Sequence, residues 1–358
     1  MNTNTYVVIM AGGIGTRLWP YSRTSRPKQF HDFLNTGKSL LQLTAERFAP
    51  ICSTDNLFVV TNTQYVPLVK EQLPFLSEHQ LLGEPFGKNT APCAAYACYK
   101  IKKANPNAII IVAPSDHIIL KEEAFLSKIK IAVEAARSTQ SLFTLGIKPT
   151  RPDTGYGYIQ FIENEHSEIK KVKTFAEKPH YDLAVKFLET GEFVWNAGIF
   201  IWNVNAFTEA LQTYEPDMAK LFEEGQPDYF TDKETDFISK TYAQCKSISI
   251  DNAIMERSSN VYVLLADIGW SDLGTWKSIY ETSPKDENNN VVSGNVITYD
   301  SRNCVIKTPV HKLVVVQGLE NYMIIEHDNA LLICNIDQEQ KVKEITNHIK
   351  TKYNNQYN

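Results

Sequence analysis

The sequence of 358 residues has few of the features that mark membrane, secreted or zinc-containing proteins. Its six cysteines are scattered without any C-x-x-C pair, which disfavours a disulfide framework or a structural zinc site. No apolar run approaches the length of a membrane-spanning helix, and no basic segment precedes the first apolar run. We therefore expect reduced thiols in a cytoplasmic protein, with no signal peptide and no membrane span.

Positive charge is also scarce. The chain has 36 Lys and Arg against 41 Asp and Glu, which gives a formal net charge of −5 and a pI of about 6.0. Nucleic acids and anionic membranes both bind basic surfaces, so neither is expected as a partner. With 43% hydrophobic and 22% charged residues, the chain can bury one large core and a smaller second one. These properties predict a globular protein that binds a small ligand.

The stretch from Tyr6 to Phe30 carries the clearest chemical information. Tyr6 to Met10 is apolar and rich in β-branched residues, which predicts a buried strand. Glycines that can turn their N–H groups toward phosphate oxygens follow it: Gly12, Gly13 and Gly15. Arg17 and Lys28 supply countercharge. The spacing matches neither the dinucleotide fingerprint nor the Walker A loop, and an ordinary strand-to-helix turn is the alternative.

A resemblance to a known family rests on this stretch. AGGIGTRLWPYSRTSRPKQF resembles the signature of sugar-nucleotide pyrophosphorylases, and its RPKQF ending is similar to the mannose-1-phosphate guanylyltransferase branch. The resemblance implies that GTP and mannose 1-phosphate give GDP-mannose and pyrophosphate, with Mg²⁺ as cofactor, in a homodimer. Two alternatives stay open: transfer to another sugar 1-phosphate, such as that of heptose or glucose, and a non-catalytic relative that binds a sugar nucleotide.

The nucleotide-binding residues that the resemblance implies come from three segments. They are Ala11, Gly12, Gly13, Gly15, Thr16, Glu84, Pro85, Asn89, Thr90 and Asp116. Glu84 belongs to GEPFGKNTAP, and its carboxylate can accept paired hydrogen bonds from the N1–H and 2-amino groups of guanine. A solvated loop glutamate is the alternative. Thr90 is predicted to cap the helix that follows.

Two aspartates are candidate metal ligands. Asp116 follows the buried apolar run Ala108 to Ala113, at the carboxyl end of a predicted strand, where ligands gather in open α/β sheets. Asp272 lies in DIGWSDLGTW. Each could simply cap a helix, but the resemblance places both on the metal, and Mg²⁺ takes one or two carboxylates together with phosphates and water.

The resemblance also implies a sugar-phosphate site. Its substrate-binding residues are Tyr156, Gly157, Glu177, Lys178, Asn196 and Gly198. Lys178 meets the phosphate of the sugar 1-phosphate and joins Arg17 and Lys28 as a catalytic residue in this interpretation. Because Pro179 disfavours helical geometry in the preceding residue, Lys178 is predicted to be extended. An exposed Glu-Lys pair before a proline turn is the alternative.

Alternating strands and helices from Tyr6 to Ile147 predict an α/β fold with a mostly parallel, doubly wound sheet. The resemblance makes this a Rossmann-like, GT-A-like nucleotide-diphospho-sugar transferase fold. Near the C-terminus, apolar residues recur nine apart at Val296, Val305, Val314, Met323 and Leu332, which predicts a small all-β domain, either a meander or a coil of parallel strands. The resemblance favours a short left-handed β-helix. We expect a catalytic domain over residues 1–287 and the β-domain over 288–358.

Overall fold

A computed structural model describes residues 4–164, 166–354 and 356–358. The chain divides into two compact units. The first unit contains the chain up to Gly12, together with Thr44–Ser115 and Ile119–Trp270. The second unit contains Gly13–Leu43, Asp116–Ile118 and Ser271–Asn358. Each unit has its own apolar core.

The strands before residue 272 are β1 (Thr5–Met10), β2 (Leu57–Asn62), β3 (Leu81–Glu84), β4 (Ile109–Pro114), β5 (Ile118–Ile119), β6 (Leu142–Ile147), β7 (Tyr158–Ile162), β8 (Ile169–Ala176), β9 (Phe193–Asn203), β10 (Val261–Leu265) and β11 (Trp270–Ser271). The later strands are β12 (Val291–Ser293), β13 (Asn295–Tyr299), β14 (Val305–Lys307), β15 (Leu313–Gln317), β16 (Tyr322–His327) and β17 (Ala330–Asn335).

The helices are α1 (Leu40–Arg47), α2 (Val66–Gln72), α3 (Thr90–Ala104), α4 (Glu122–Ser138), α5 (Tyr181–Thr190), α6 (Val204–Tyr214), α7 (Pro216–Glu223), α8 (Glu234–Gln244), α9 (Trp276–Thr282) and α10 (Lys341–Tyr353). A short π-helix spans Asp251–Met255. Among the described residues, no helix combines the length and the apolar character needed to cross a membrane.

The first unit is built on a nine-stranded sheet with the order β3-β2-β1-β4-β9-β6-β10-β8-β7. Its first four strands are parallel, as expected for buried apolar runs separated by helices. The long strand β9 then runs antiparallel between β4 and β6. β6 and β10 are parallel, and β8 and β7 complete the sheet with antiparallel pairings. The predicted α/β class is confirmed, in a sheet of mixed direction.

The second unit contains the C-terminal strands. β12, β14 and β16 pair in parallel in one sheet, and β13 and β15 pair in parallel in another. Successive strands therefore alternate between two sheets, which explains the nine-residue spacing: Val305 is paired with Met323, and Val296 with Val314, each 18 residues on. β17 turns back antiparallel to β16 and ends the coil. Of the two predicted arrangements, the structure has the coil of parallel strands.

Candidate functional site

The glycine-rich loop begins inside the first unit, where β1 ends. Ala11 extends the sheet by one residue, since its N–H donates to Val60 O at 2.7 Å and its carbonyl accepts from Thr61 Oγ1 at 2.7 Å. A Cβ added at Gly12 would lie 3.3 Å from Glu84 Oε2. Glycine therefore lets the loop backbone approach this carboxylate closely. Two of the predicted nucleotide-binding segments are thus neighbours.

The remainder of the loop lies in the second unit and folds back on Lys28. Gly15 has a φ of 75°, and a Cβ there would lie 2.8 Å from the Cβ of Lys28, so both the backbone and the packing favour glycine. The Lys28 N–H donates to Ile14 O at 3.2 Å. A Cβ added at Gly13 would meet no described atom within 4 Å. Thr16 begins a short 3₁₀ turn, Thr16–Leu18.

The buried ammonium of Lys28 connects the two predicted metal ligands. Its Nζ donates to Asp116 Oδ2 at 2.9 Å and to the backbone oxygen of Asp272 at 2.5 Å. Burial raises the pKa of Asp116, but Lys28 and His117 outweigh it, and the pKa lies below its usual value. Asp116 is therefore a carboxylate at neutral pH. The structure brings residues 28, 116 and 272 together from three separate parts of the chain.

Neither aspartate is a helix cap, which was the alternative for both. Lys121 occupies the N-cap position of α4, five residues after Asp116. Thr275 caps α9 and accepts a hydrogen bond from the N–H of Ser278. The Asp272 carboxylate instead accepts from the N–H of Gly274 at 3.0 Å, in the turn before that helix.

These carboxylates fit a cation of the Mg²⁺ type. The described ranges contain no group of three or more His, Cys, Asp or Glu side chains that could enclose a metal ion. A hard cation that keeps several waters and substrate oxygens requires only one or two carboxylates. Asp116 is ionised, and 28% of its side chain is exposed.

Arg17 lies on the exposed side of the same loop. Its Nε donates to Gln340 Oε1 at 3.0 Å, a contact inside the second unit between residues 323 positions apart. The loop therefore carries two cations in different settings, since Lys28 is 3% exposed and held by oxygens, whereas Arg17 is exposed to solvent. Both can interact with phosphate oxygens by charge-assisted hydrogen bonds.

Glu84 is buried at the end of β3, and not in a solvated loop. It is 6% exposed, and its Oε1 accepts from the Tyr242 hydroxyl at 2.9 Å. Burial raises the pKa of Glu84 to about 7, although the hydrogen bond from Tyr242 opposes this shift. Sequence reasoning found no chemistry around Tyr242, because a single tyrosine in a polar amphipathic helix has no distinguishing local pattern.

The segment after Glu84 leads into α3. Pro85 follows the strand directly and is half-buried. The predicted N-cap at Thr90 is wrong: Asn89 holds that position, and its Oδ1 accepts from the Thr90 N–H at 2.9 Å. The Thr90 hydroxyl instead accepts from the N–H of Ile250 at 2.8 Å. Thr90 therefore connects the start of α3 to the segment just before the π-helix.

The predicted sugar-binding residues meet in the first unit. The Asn196 N–H donates to Gly157 O at 2.8 Å, and the Lys178 N–H donates to Tyr156 O at 3.2 Å. A Cβ added at Gly157 would lie 2.6 Å from Glu177 Oε2, so glycine lets this carboxylate pack closely against the loop. Three segments that are distant in sequence thus form one polar cluster.

Lys178 does not have the extended backbone that was predicted. Its φ is 48°, in the left-handed region, which costs a residue with a side chain about 1–2 kcal/mol. The backbone hydrogen bond to Tyr156 and the ion pair of its Nζ with Glu177 Oε1 accompany this conformation. This ion pair agrees with the alternative prediction of an exposed Glu-Lys pair. However, 60% of the Lys178 side chain is exposed, so its ammonium can reach an anion.

Asp251 is a further polar residue of this cluster that is not among the predicted site residues. Asn196 Nδ2 donates to Asp251 Oδ1 at 2.9 Å, while Asn196 Oδ1 accepts from Thr144 Oγ1 at 2.9 Å and from the Gly198 N–H at 3.1 Å. Burial and the charge of Glu177 raise the pKa of Asp251 to about 7. Asp251 begins the π-helix, an element frequent at functional sites. The cluster can bind hydroxyl groups through carboxylate and amide oxygens.

Two family profiles match most of the chain. The profile of a family described as nucleotidyl transferase matches residues 6–289. The profile of a domain described as MannoseP isomerase/GMP-like beta-helix matches residues 294–349. The predicted domain ranges, 1–287 and 288–358, stay a prediction.

Individual relatives cover nearly the whole chain. A mannose-1-phosphate guanylyltransferase from Escherichia coli is 37% identical over 98% of this chain and 76% of its own length. A mannose-1-phosphate guanylyltransferase from Salmonella montevideo is 38% identical over 96% of this chain and 73% of its own. A crystal structure described as mannose-1-phosphate geranyltransferase from Thermus thermophilus superposes with a TM-score of 0.87 at 29% identity, covering 97% of this chain and 100% of that one.

Proposed function

This chain belongs to the nucleotidyl transferase family, and from that premise we propose that it transfers GMP from GTP to mannose 1-phosphate, giving GDP-mannose and pyrophosphate. The predicted family and enzyme class are confirmed. The observation that carries the choice of substrates is the 37% identity, over 98% of the chain, to an enzyme named for this reaction. The polar clusters of this chain contain residue types that can bind a nucleotide base, phosphate groups and sugar hydroxyls.

The attacking group requires no catalytic base in this proposal. A phosphate monoester has a second pKa near about 6, so the phosphate of mannose 1-phosphate is largely dianionic at neutral pH and is already a nucleophile. The task of the protein is to orient this anion and the α-phosphate of GTP. We assign the orientation of the sugar phosphate to Lys178. Glu177, Asn196 and the Tyr156–Gly157 turn bind the sugar hydroxyls.

Charge neutralisation is the second task. Arg17 and Lys28 stabilise the departing pyrophosphate by charge-assisted hydrogen bonds. Enzymes of this family generally use a divalent metal ion. We propose Mg²⁺, held by Asp116 and Asp272, because the oxygens and charge of these residues fit a hard cation. When bound, the ion would neutralise charge on the phosphates as a Lewis acid. Lys28 keeps Asp116 ionised for this role.

The nucleotide choice can be tested against the alternatives directly. Pyrophosphate release is measured for GTP, ATP, UTP and dTTP, each combined with the 1-phosphates of mannose, glucose and heptose. We expect the largest kcat/KM for GTP with mannose 1-phosphate. Preference for another pair would reassign the substrates, and no turnover with any pair would favour a binding protein. Because the reaction consumes a free nucleotide and a sugar phosphate, we place it in the cytoplasm.

Recognition of guanine by Glu84 predicts a pH-dependent KM for GTP. An ionised Glu84 accepts both guanine hydrogen bonds, whereas the protonated form cannot. With a pKa of about 7, lowering the pH from 8 to 6 reduces the ionised fraction about 10-fold, so KM should rise about 10-fold. Steady-state kinetics of Glu84→Gln should lack this component while keeping any titration of GTP itself.

Tyr242→Phe provides a second test of this pH dependence. Removing the hydroxyl removes the hydrogen bond that lowers the pKa of Glu84, so the midpoint of the KM profile should move to higher pH. If Glu84→Gln and the parent enzyme had the same KM profile, Glu84 would not be the base-reading group.

We also propose a homodimer that forms through the second unit. β13 and β15 expose an apolar face in which Ile297 is paired with Val315, and both are about half exposed. Tyr299 and Leu313 lie on the same face, since side chains alternate along a strand. A continuous exposed apolar face of this kind marks an interaction surface. A second copy of the chain can supply the same apolar face in return.

Val315→Glu is expected to convert the dimer into a monomer in analytical ultracentrifugation, because the charge would be buried in the interface. Val310→Glu is the control, since Val310 is 79% exposed in the turn before β15 and lies outside the pairing of β13 with β15. An unchanged dimer in Val315→Glu, or a monomeric parent protein, would contradict this interface.

A further inference from the structure

We infer that the C-terminal coil positions the catalytic loop, and that Arg23 is the positioning residue that connects them. The inference rests on the proposed nucleotidyl transfer. It concerns residues 13–30, which carry Arg17 and Lys28 and which belong to the same compact unit as the C-terminal strands. Nothing in the local sequence around Arg23 suggested a role beyond positive charge.

Arg23 is buried, at 8% exposure, and all three of its guanidinium nitrogens are engaged. Nε donates to Pro20 O at 2.9 Å, inside the loop. The two terminal nitrogens donate at 2.9 Å to Asn329 Oδ1 and at 2.9 Å to His327 O, at the turn between β16 and β17. One side chain thus fixes the loop backbone to the last hairpin of the coil. A lysine cannot reproduce this forked geometry.

Aromatic and indole groups add further contacts between the loop and the C-terminal region. The Tyr21 ring stacks on the His327 ring with centroids 4.2 Å apart. Trp19 Nε1 donates to Tyr357 O at 2.8 Å, and the indole nitrogen of Trp276 donates to Trp19 O at 3.1 Å. Contacts along the loop therefore involve the hairpin, α9 and the final residues of the chain.

The loop and the C-terminal strands also share an apolar core within the second unit. Leu18 and Trp19 from the loop are buried in a cluster with side chains of β14, β16, β17, α9 and α10. Those partners include Val305, Met323, Leu332, Trp276 and Val342. The loop contains two glycines and has little intrinsic rigidity, so the packing and the Arg23 hydrogen bonds supply it from outside. The coil is thereby part of the scaffold of the catalytic loop.

The consequence for catalysis follows from the positions of the two cations. Lys28 and Arg17 belong to the loop that Arg23 fixes, and a misplacement of about 1 Å in a positioning element can cost about 100-fold in rate. Lys178 and Asn196 belong to the first unit, whereas residues 13–30 belong to the second. Loss of Arg23 should therefore lower kcat while leaving the KM for mannose 1-phosphate nearly unchanged.

The test uses full-length Arg23→Lys and Arg23→Ala with GTP and mannose 1-phosphate. We expect kcat to fall at least about 10-fold in Arg23→Lys, with the KM for mannose 1-phosphate within about twofold of the parent value. Millimolar guanidinium should restore part of the kcat of Arg23→Ala, which a purely structural defect would not show. Arg302→Lys is the control, because Arg302 makes an exposed ion pair with Glu320 in the same coil.

Asn329→Ala removes one of the three hydrogen bonds of the Arg23 guanidinium. This variant tests the inference even if the arginine variants do not fold. We expect its kcat to fall about 3-fold or more at an unchanged KM for mannose 1-phosphate. Parental kcat in folded Arg23→Lys and Asn329→Ala would overturn the inference. A change in the KM for mannose 1-phosphate as large as the change in kcat would also overturn the inference. A parent enzyme without nucleotidyl transfer would instead refute the proposed function.

Discussion

Lys28→Met is expected to lower kcat by at least about 100-fold, the effect of losing one preorganised donor at developing charge. The physical reason is twofold. The ammonium that we assign to stabilising the pyrophosphate is lost, and Asp116 loses a cation that lowers its pKa. Methionine retains most of the volume and the apolar stem, so the effect reports charge and not a cavity. Stopped-flow or steady-state pyrophosphate release at saturating substrates measures it.

Lys70→Met is the matched control for this variant, because Lys70 makes an exposed ion pair with Glu78 in the first unit. Its kcat should equal that of the parent. Thermal unfolding separates catalysis from stability, since Asp116 without its partner also lowers the stability of Lys28→Met. A folded Lys28→Met enzyme with parental kcat would contradict the assignment of Lys28.

Asp116→Asn should have the second large effect, and it concerns the metal. A neutral amide cannot supply the charge that a divalent cation requires, so several kcal/mol of transition-state stabilisation, or at least about 100-fold in kcat, should be lost. The Mg²⁺ concentration for half-maximal activity should rise. Asp272→Asn should weaken the metal dependence in the same direction.

Binding of Mn²⁺, followed by electron paramagnetic resonance, measures the metal affinity of the same site independently of catalytic activity. Asp116→Asn should bind Mn²⁺ more weakly than the parent in the presence of GTP. Asp267→Asn is the control, since Asp267 is exposed and makes an ion pair with Lys121 in the first unit. Identical metal titrations in Asp116→Asn, Asp272→Asn and the parent would count against both ligands.

Local patterns in the sequence predicted the buried strands, the regular short strands near the C-terminus and the glycine-rich loop. Apolar runs identified β1 and β4 as buried strands, because a strand buried on both faces must be apolar throughout. The nine-residue spacing indicated a small all-β domain of regular short strands, but it left a meander and a coil of parallel strands both open. The glycines of the loop indicated an unusual backbone conformation, and Gly15 has a φ of 75°, in the left-handed region that favours glycine.

Long-range contacts were beyond such patterns. The Lys28–Asp116 pair joins residues 88 apart, and Tyr242 reaches Glu84 across 158 residues. The position of β9 between β4 and β6 is likewise set by tertiary pairing. The left-handed backbone of Lys178 overrides the local preference that a following proline imposes. The family resemblance supplied the candidate residues, and the structure supplied their partners.

The central claim is that the chain breaks the bond between the α- and β-phosphates of GTP and joins the α-phosphate to a sugar phosphate. GTP labelled separately at the α- and γ-phosphates tests it most directly, with mannose 1-phosphate and Mg²⁺ present. We expect the α label to appear in GDP-mannose and the γ label in pyrophosphate. Release of the α label as free GDP or GMP, or no transfer to the sugar phosphate, would contradict it.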